Sequence, residues 1–140
     1  MKTTAAVLYW DTSAVLSALF RDEHSDEASA IARETRMHLM STLAWAETHA
    51  VIARIHRERM LASVLIEAAL EALESGPWRR VNVLPDWNVI QALAPAWPLR
   101  GADLWHLAAA KHLHAEIPEL ALFSFDARLT TAARGEGLAR

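Results

Sequence analysis

Ala6-Val7-Leu8-Tyr9-Trp10-Asp11-Thr12-Ser13-Ala14 is the stretch that decides the fold. Five residues of β-like character end abruptly at an acid followed by two hydroxyl side chains. Asp, Thr and Ser start helices well, because their oxygens accept hydrogen bonds from the otherwise unpaired amides of a first turn. Ala14 to Phe20 therefore reads as a short helix, and Asp11 stands at the C-terminal end of a strand. In an open α/β sheet that end is where the ligand crevice lies.

Working outward, short β-like runs keep alternating with helical patterns, which argues for a parallel sheet covered by helices. Ser25, with Asp26 and Glu27 behind it, opens a helix to about Arg36. Met37 to Met40 is a weak strand candidate, and Ser41-Thr42 caps a helix to about His56. A longer helix is expected over Glu58 to Glu74, with Leu61, Leu65, Ala68, Ala69 and Ala72 at helical spacing. Gly76-Pro77 stops it. Trp78 to Leu84 alternates as a strand, and Asp86 caps a short helix through Leu93. Pro95 and Pro98 mark a loop, and Gly101-Ala102-Asp103 opens a helix to about His114. Ala121 to Phe125 is the last strand, followed by Asp126 and a helix over Ala127 to Ala133. The pattern is helix-rich α/β.

The chain has 140 residues, 53% hydrophobic and 22% charged, and reads as one domain over 1–140. It contains no cysteine, so disulfides, thiolate metal sites and cysteine nucleophiles are excluded, and a metal would need oxygen or imidazole ligands. The first apolar run is shorter than a signal peptide's core, and no stretch of 18 apolar residues offers a membrane span. A soluble, cytoplasmic protein with no membrane partner is expected. The net charge of -3 does not by itself select a partner. Of the fourteen basic residues only Lys2 and Lys111 are lysines; the arginines have planar forks suited to phosphate or carboxylate.

Most acids here fit polar helix faces, caps or loops, but four do not. Asp11 and Asp126 end strands. Glu47 falls inside the apolar stripe of Leu43, Ala46, Ala50 and Val51, and Asp103 lies in the first turn of a helix carrying Leu104, Leu107 and Ala108. Each has an ordinary explanation: capping for Asp11 and Asp103, snorkelling or an arginine partner for Glu47, a turn for Asp126. Strand ends and helix starts of a parallel sheet nevertheless converge in space. Carboxylates that converge raise one another's pKa unless a cation sits among them. Oxygen ligands select hard ions, and Mg²⁺ or Mn²⁺ suits a cluster that also binds phosphate. Such ions can activate water and stabilise a leaving oxygen in phosphodiester hydrolysis. Thr12, Ser13 and Ser124 stand beside the acids and can either orient them or serve as cap and strand residues.

Asp11-Thr12-Ser13-Ala14 after an apolar strand resembles the opening motif of PIN-domain ribonucleases, especially VapC-type toxins of toxin–antitoxin pairs. Leu43-Ala44-Trp45-Ala46-Glu47, Leu99-Arg100-Gly101-Ala102-Asp103-Leu104-Trp105-His106-Leu107-Ala108 and Phe123-Ser124-Phe125-Asp126-Ala127-Arg128-Leu129 resemble the later motifs in order and spacing. The resemblance implies a three-layer α/β/α fold around a central parallel sheet of four or five strands. It implies that Asp11, Glu47, Asp103 and Asp126 bind Mg²⁺ or Mn²⁺ and support RNA hydrolysis, leaving 5′-phosphate and 3′-hydroxyl ends. It further implies a homodimer and a VapB-type antitoxin whose C-terminal segment covers the site, with an arginine competing for the carboxylates. One departure stands at Gly135-Glu136-Gly137-Leu138-Ala139-Arg140, where the family usually adds a last edge strand.

The seven histidines do not have the spacing of a zinc motif. His106, one turn after Asp103, reads as a packing or hydrogen-bonding residue. No GxSxG elbow supports a serine hydrolase. Trp10, Trp45 and Trp105 lie beside the proposed site and read as core or interface packing, with base stacking or antitoxin contact as the alternative. Arg100 and Arg128 are the candidates for RNA phosphate contacts. Two further readings keep the acids at strand ends without nuclease chemistry. One is a non-catalytic PIN-fold binding module. The other is a phospho-accepting receiver domain, which needs a lysine after a late strand, whereas Lys111 falls mid-helix.

Overall fold

Every strand of the protein is followed within a few residues by a helix, so the polar residues at the handovers gather at one end of the parallel sheet. The computed structural model describes residues 5–140; Lys2 and the rest of the first four residues lie outside the described part. The strands are β1 (Val7–Trp10), β2 (Met37–Ser41), β3 (Trp78–Val81) and β4 (Leu120–Phe123). The helices are α1 (Thr12–Leu19), α2 (Ser25–Ala32), α3 (Thr42–Arg57), α4 (Ser63–Ser75), α5 (Trp87–Leu93), α6 (Gly101–Glu116) and α7 (Ala127–Gly135). The sheet has four strands in the order β3-β2-β1-β4, and all three pairings are parallel, with Tyr9 opposite Leu39 on one side and Leu122 on the other.

Successive strand residues point to opposite faces, and both faces are covered. Leu8, Trp10, Met40 and Phe123 pack with Ala14, Val15, Ala28, Ala44 and Ile66 from α1 to α4. Val7, Tyr9, Leu39 and Leu122 pack with Leu93, Leu107, Ala108 and Leu129 from α5 to α7. This is the three-layer α/β/α arrangement with a parallel sheet that the sequence led one to expect. The sheet has four strands, and the place of a last edge strand is taken by a single bond: the Leu122 amide donates to the Leu138 carbonyl at 2.9 Å. The Leu138 side chain is fully buried.

Several boundaries differ from the sequence reading. The long helix begins at Ser63, not Glu58: α3 ends at Arg57, Arg59 takes the left-handed conformation at φ 54°, and the chain re-enters a helix only after Ala62. The buried stripe of α4 is Ile66, Ala69 and Leu73, so of the expected positions only Ala69 faces the core, and Leu61 and Leu65 are exposed. Helix α2 stops at Ala32, β3 at Val81, and β4 runs from Leu120 to Phe123. The weak strand candidate is an interior strand, β2. It tolerates a buried His38 because Trp10 Nε1–H donates to His38 Nδ1 at 3.0 Å and the other ring nitrogen meets the Glu34 carbonyl at 3.1 Å. Among the described residues no helix is long and apolar enough to cross a membrane.

Candidate active site

Three helices start at the C-terminal ends of strands on a capping side chain. Asp11 caps α1, Ser41 caps α3 and Asp126 caps α7, accepting from the amides of Ala14, Ala44 and Leu129. Helix α6 begins at the same end of the sheet with Arg100 at the cap position, no side-chain cap, and Asp103 in its first turn.

Asp11 is 2% exposed, and its carboxylate is held by hydroxyls. Ser124 Oγ–H donates to Oδ2 at 2.6 Å, Ser13 donates to Oδ1 at 2.8 Å, and the Ala14 amide reaches Oδ1 at 2.9 Å. Burial pushes the Asp11 carboxyl above its usual range, against the lowering effect of these bonds. The two serines also accept from the backbone of the following turn: Phe125 N–H reaches Ser13 Oγ at 3.2 Å and Asp126 N–H reaches Ser124 Oγ at 3.0 Å. The strand end that carries Asp11 is thus tied to the loop that carries Asp126.

Glu47 stands one step off the buried stripe of α3, which is Ala44, Thr48 and Ile52 rather than the expected Leu43, Ala46, Ala50 and Val51. Its side chain is 34% exposed. Thr12 Oγ1–H donates to Glu47 Oε1 at 2.6 Å, and His106 Nε2 lies 3.2 Å from the same oxygen. The His106 bond, with smaller help from Thr12, holds the Glu47 carboxyl below its usual range despite partial burial. Asp103 moves the other way, raised first by burial and then by the charges of Asp126 and Glu47. Asp103 and Asp126 line one cavity of about 390 Å³ with Pro98, Leu99, Arg100, Ala127 and Arg128. Both arginines named from the sequence therefore border the acids.

The side chains fall into three groups: Asp11 with Ser13 and Ser124, Glu47 with Thr12 and His106, and Asp103 with Asp126. Among the described residues no three His, Asp or Glu side chains are gathered closely enough to hold an ion as they stand. The donor chemistry nevertheless suits a hard divalent cation, with carboxylate and hydroxyl oxygens on hand and the Asp103 carboxyl raised by burial and by the charges of Asp126 and Glu47. The sequence reading did not link Tyr9 and Ser41 to this end of the sheet. The Tyr9 hydroxyl sits 2.6 Å from His106 Nδ1 and 3.1 Å from Ser41 Oγ, fully buried. The signal was present, since Tyr9 shares Asp11's strand face and His106 opens a buried run otherwise made of Leu and Ala. Trp10 is wholly core, in edge-on contact with His38, Trp78 and Phe123. Trp45 and Trp105 are half-buried, and Arg80 lies over the Trp45 ring at 4.1 Å.

Comparison with known proteins agrees with this architecture. The chain is similar in fold to VapC20 of Mycobacterium tuberculosis, described as a sarcin-ricin loop cleaving toxin, with a TM-score of 0.59 and 15% identity over 89% of this chain and 94% of that one. It is also similar to a chain of VapBC2 from Rickettsia felis, solved bound to a DNA fragment from their promoter, with a TM-score of 0.54 and 12% identity over 86% of this chain and 99% of that one. No curated protein matches the sequence significantly. The PIN domain family model matches residues 8–135, nearly the whole length, so this chain belongs to the PIN-domain family.

Proposed function

We propose that the protein is an Mg²⁺- or Mn²⁺-dependent endoribonuclease, the toxin of a VapBC-type toxin–antitoxin pair. The observation that carries this reading is the pairing of Asp103 and Asp126, from separate elements, in one cavity at the C-terminal end of a parallel sheet, with Asp103 raised by burial and then by the charges of Asp126 and Glu47. Asp11, Glu47, Asp103 and Asp126 would hold the ion. When bound, the metal would supply a water of lowered pKa as nucleophile and stabilise the charge that develops on the phosphate. Ser13 and Ser124 fix the Asp11 carboxylate, and Thr12 fixes Glu47. Arg100 and Arg128, bordering the cavity, offer guanidinium forks to the RNA backbone. The partners are RNA, a VapB-type antitoxin and a second copy of this chain in a cytoplasmic homodimer. The VapBC2 complex supports the antitoxin by analogy.

The test is RNA cleavage by purified protein with Mn²⁺, with chelator, and with Mn²⁺ restored. Cleavage is expected to stop with chelator and return with metal. Asp11→Asn should abolish it while keeping the α1 cap, since Asn caps as well as Asp. Full activity in Asp11→Asn, or cleavage indifferent to chelator, would overturn the mechanism. Absence of both cleavage and metal uptake would favour a non-catalytic binding module, a reading consistent with the separation of the acids into three groups.

A further inference from the structure

We propose that Tyr9 and His106 are positioning residues for Glu47, part of a buried string of side chains that anchors one oxygen of this carboxylate and leaves the other for a metal ion. The inference rests on the metal-dependent reading above. Glu47 needs such an anchor: its side chain is one-third exposed, and a glutamate has rotamer freedom to lose when it is fixed. Both of its contacts, Thr12 Oγ1–H at 2.6 Å and His106 Nε2 at 3.2 Å, fall on Oε1. Among the described residues no hydrogen bond goes to Oε2.

His106 is itself immobilised. It is 1% exposed, its Nδ1 lies 2.6 Å from the Tyr9 hydroxyl, and the rings of Tyr9 and Trp105 meet it edge-on. The Tyr9 hydroxyl is located in turn by Ser41 Oγ at 3.1 Å, and Ser41 is the residue that caps α3. The string leaves α3 at its cap, crosses β1 and α6, and returns to α3 at Glu47. Two other elements thereby fix the carboxylate relative to the start of its own helix. A core built for packing alone would place Phe and Leu at these positions. A buried hydroxyl costs free energy unless it is hydrogen-bonded, and the Tyr9 hydroxyl is buried with Ser41 and His106 as its partners. Partners that orient a metal ligand in this way typically contribute 10- to 100-fold in metal affinity.

The test is calorimetric titration of Mn²⁺ into the metal-free full chain and into Tyr9→Phe, His106→Asn and His106→Gln. Tyr9→Phe keeps the ring and its packing and removes one oxygen that touches no carboxylate. Tyr9→Phe and His106→Asn should weaken Mn²⁺ binding by about tenfold or more. His106→Gln, whose amide can reach Glu47 where Nε2 did, should retain more affinity than His106→Asn. Thermal melts without metal read folding separately, because a packing role would lower Tm and leave the Kd of the folded protein unchanged. Folded Tyr9→Phe and His106→Asn proteins that bind Mn²⁺ within about twofold of wild type, well short of that range, would overturn the inference and leave the nuclease reading standing. A wild-type chain that takes up no Mn²⁺ would overturn both.

Discussion

Replacing Ser124 by alanine removes one oxygen that serves two partners. Its hydroxyl donates to Asp11 Oδ2 at 2.6 Å, and its oxygen accepts from the Asp126 amide at 3.0 Å. The first bond goes to a buried carboxylate and is worth about 1.5–3 kcal/mol; the second is neutral, at about 0.5–1.5 kcal/mol. Ser124 is half-buried, so water recovers part of the second. The net loss should be about 2–3 kcal/mol, a fall in Tm of roughly 6–12 °C for a chain of this size. The penalty carries a pH signature. Burial raises the Asp11 pKa in the folded chain above its ordinary 3.8. The stability linked to this group is therefore fully present below the unfolded value and is lost as pH rises through the folded one. Without the Ser124 proton the folded value climbs further, and the high-pH loss grows. Urea unfolding of wild type and Ser124→Ala at about pH 4 and about pH 7.5 should give a difference that widens with pH, other titrating groups cancelling between the two proteins. A penalty below about 0.5 kcal/mol, or one equal at both pH values, would refute the reasoning.

The remaining predictions concern the acidic cavity. Asp103 is raised by burial, Asp126 and Glu47, so its ionised form detracts from the stability of the metal-free fold, and that loss develops as pH rises above the unfolded value. Asp103→Asn should abolish cleavage yet melt, without metal, at or above the wild-type temperature near neutral pH; a clear drop in Tm would contradict this. Arg100→Ala and Arg128→Ala should each weaken RNA binding, measured by anisotropy in the Asp11→Asn background, and reduce the salt dependence by about one ion. An unchanged slope would remove that arginine from the phosphate contacts.

The fold was readable wherever local chemistry and burial agreed. Val7 to Trp10 with Asp11 behind it gave strand, cap and helix together, and the structure repeats that arrangement at Asp126. The reading slipped where two apolar stripes compete on one helix. In α4 the exposed Leu65, Ala68 and Ala72 are as periodic as the buried residues, and only tertiary packing selects Ile66, Ala69 and Leu73, of which the expected stripe held Ala69 alone. Glu47 was singled out for a slightly wrong reason, since it flanks the buried stripe rather than interrupting it. The hydroxyls at Thr12, Ser13 and Ser124 were visible because they adjoin the acids in sequence. Tyr9 and Ser41 were not, because Tyr9 meets Ser41 across 32 residues and His106 across 97, and no periodicity encodes contacts across such separations.

Capping and metal binding are not rival explanations for an aspartate at a strand-to-helix junction. Asp11 and Asp126 both cap helices here, and each gives Oδ1 to an amide of the first turn. That bond fixes the rotamer, and the positive end of the helix offsets part of the repulsion from the other acids. The cap thus supplies the order that a ligand needs, and geometry at the helix start cannot separate the two roles. Asp86 makes the contrast. It caps α5 through the Asn88 amide at 2.7 Å in the same manner, but it is exposed. Asp11 is buried under two serine hydroxyls, and Asp126 is close enough to Asp103 to raise it. What separates a ligand from a plain cap is the environment of the carboxylate beyond its capping bond, whether water alone or hydroxyls and further acids. By that criterion Asp11 and Asp126 stay among the proposed ligands and Asp86 is left a plain cap.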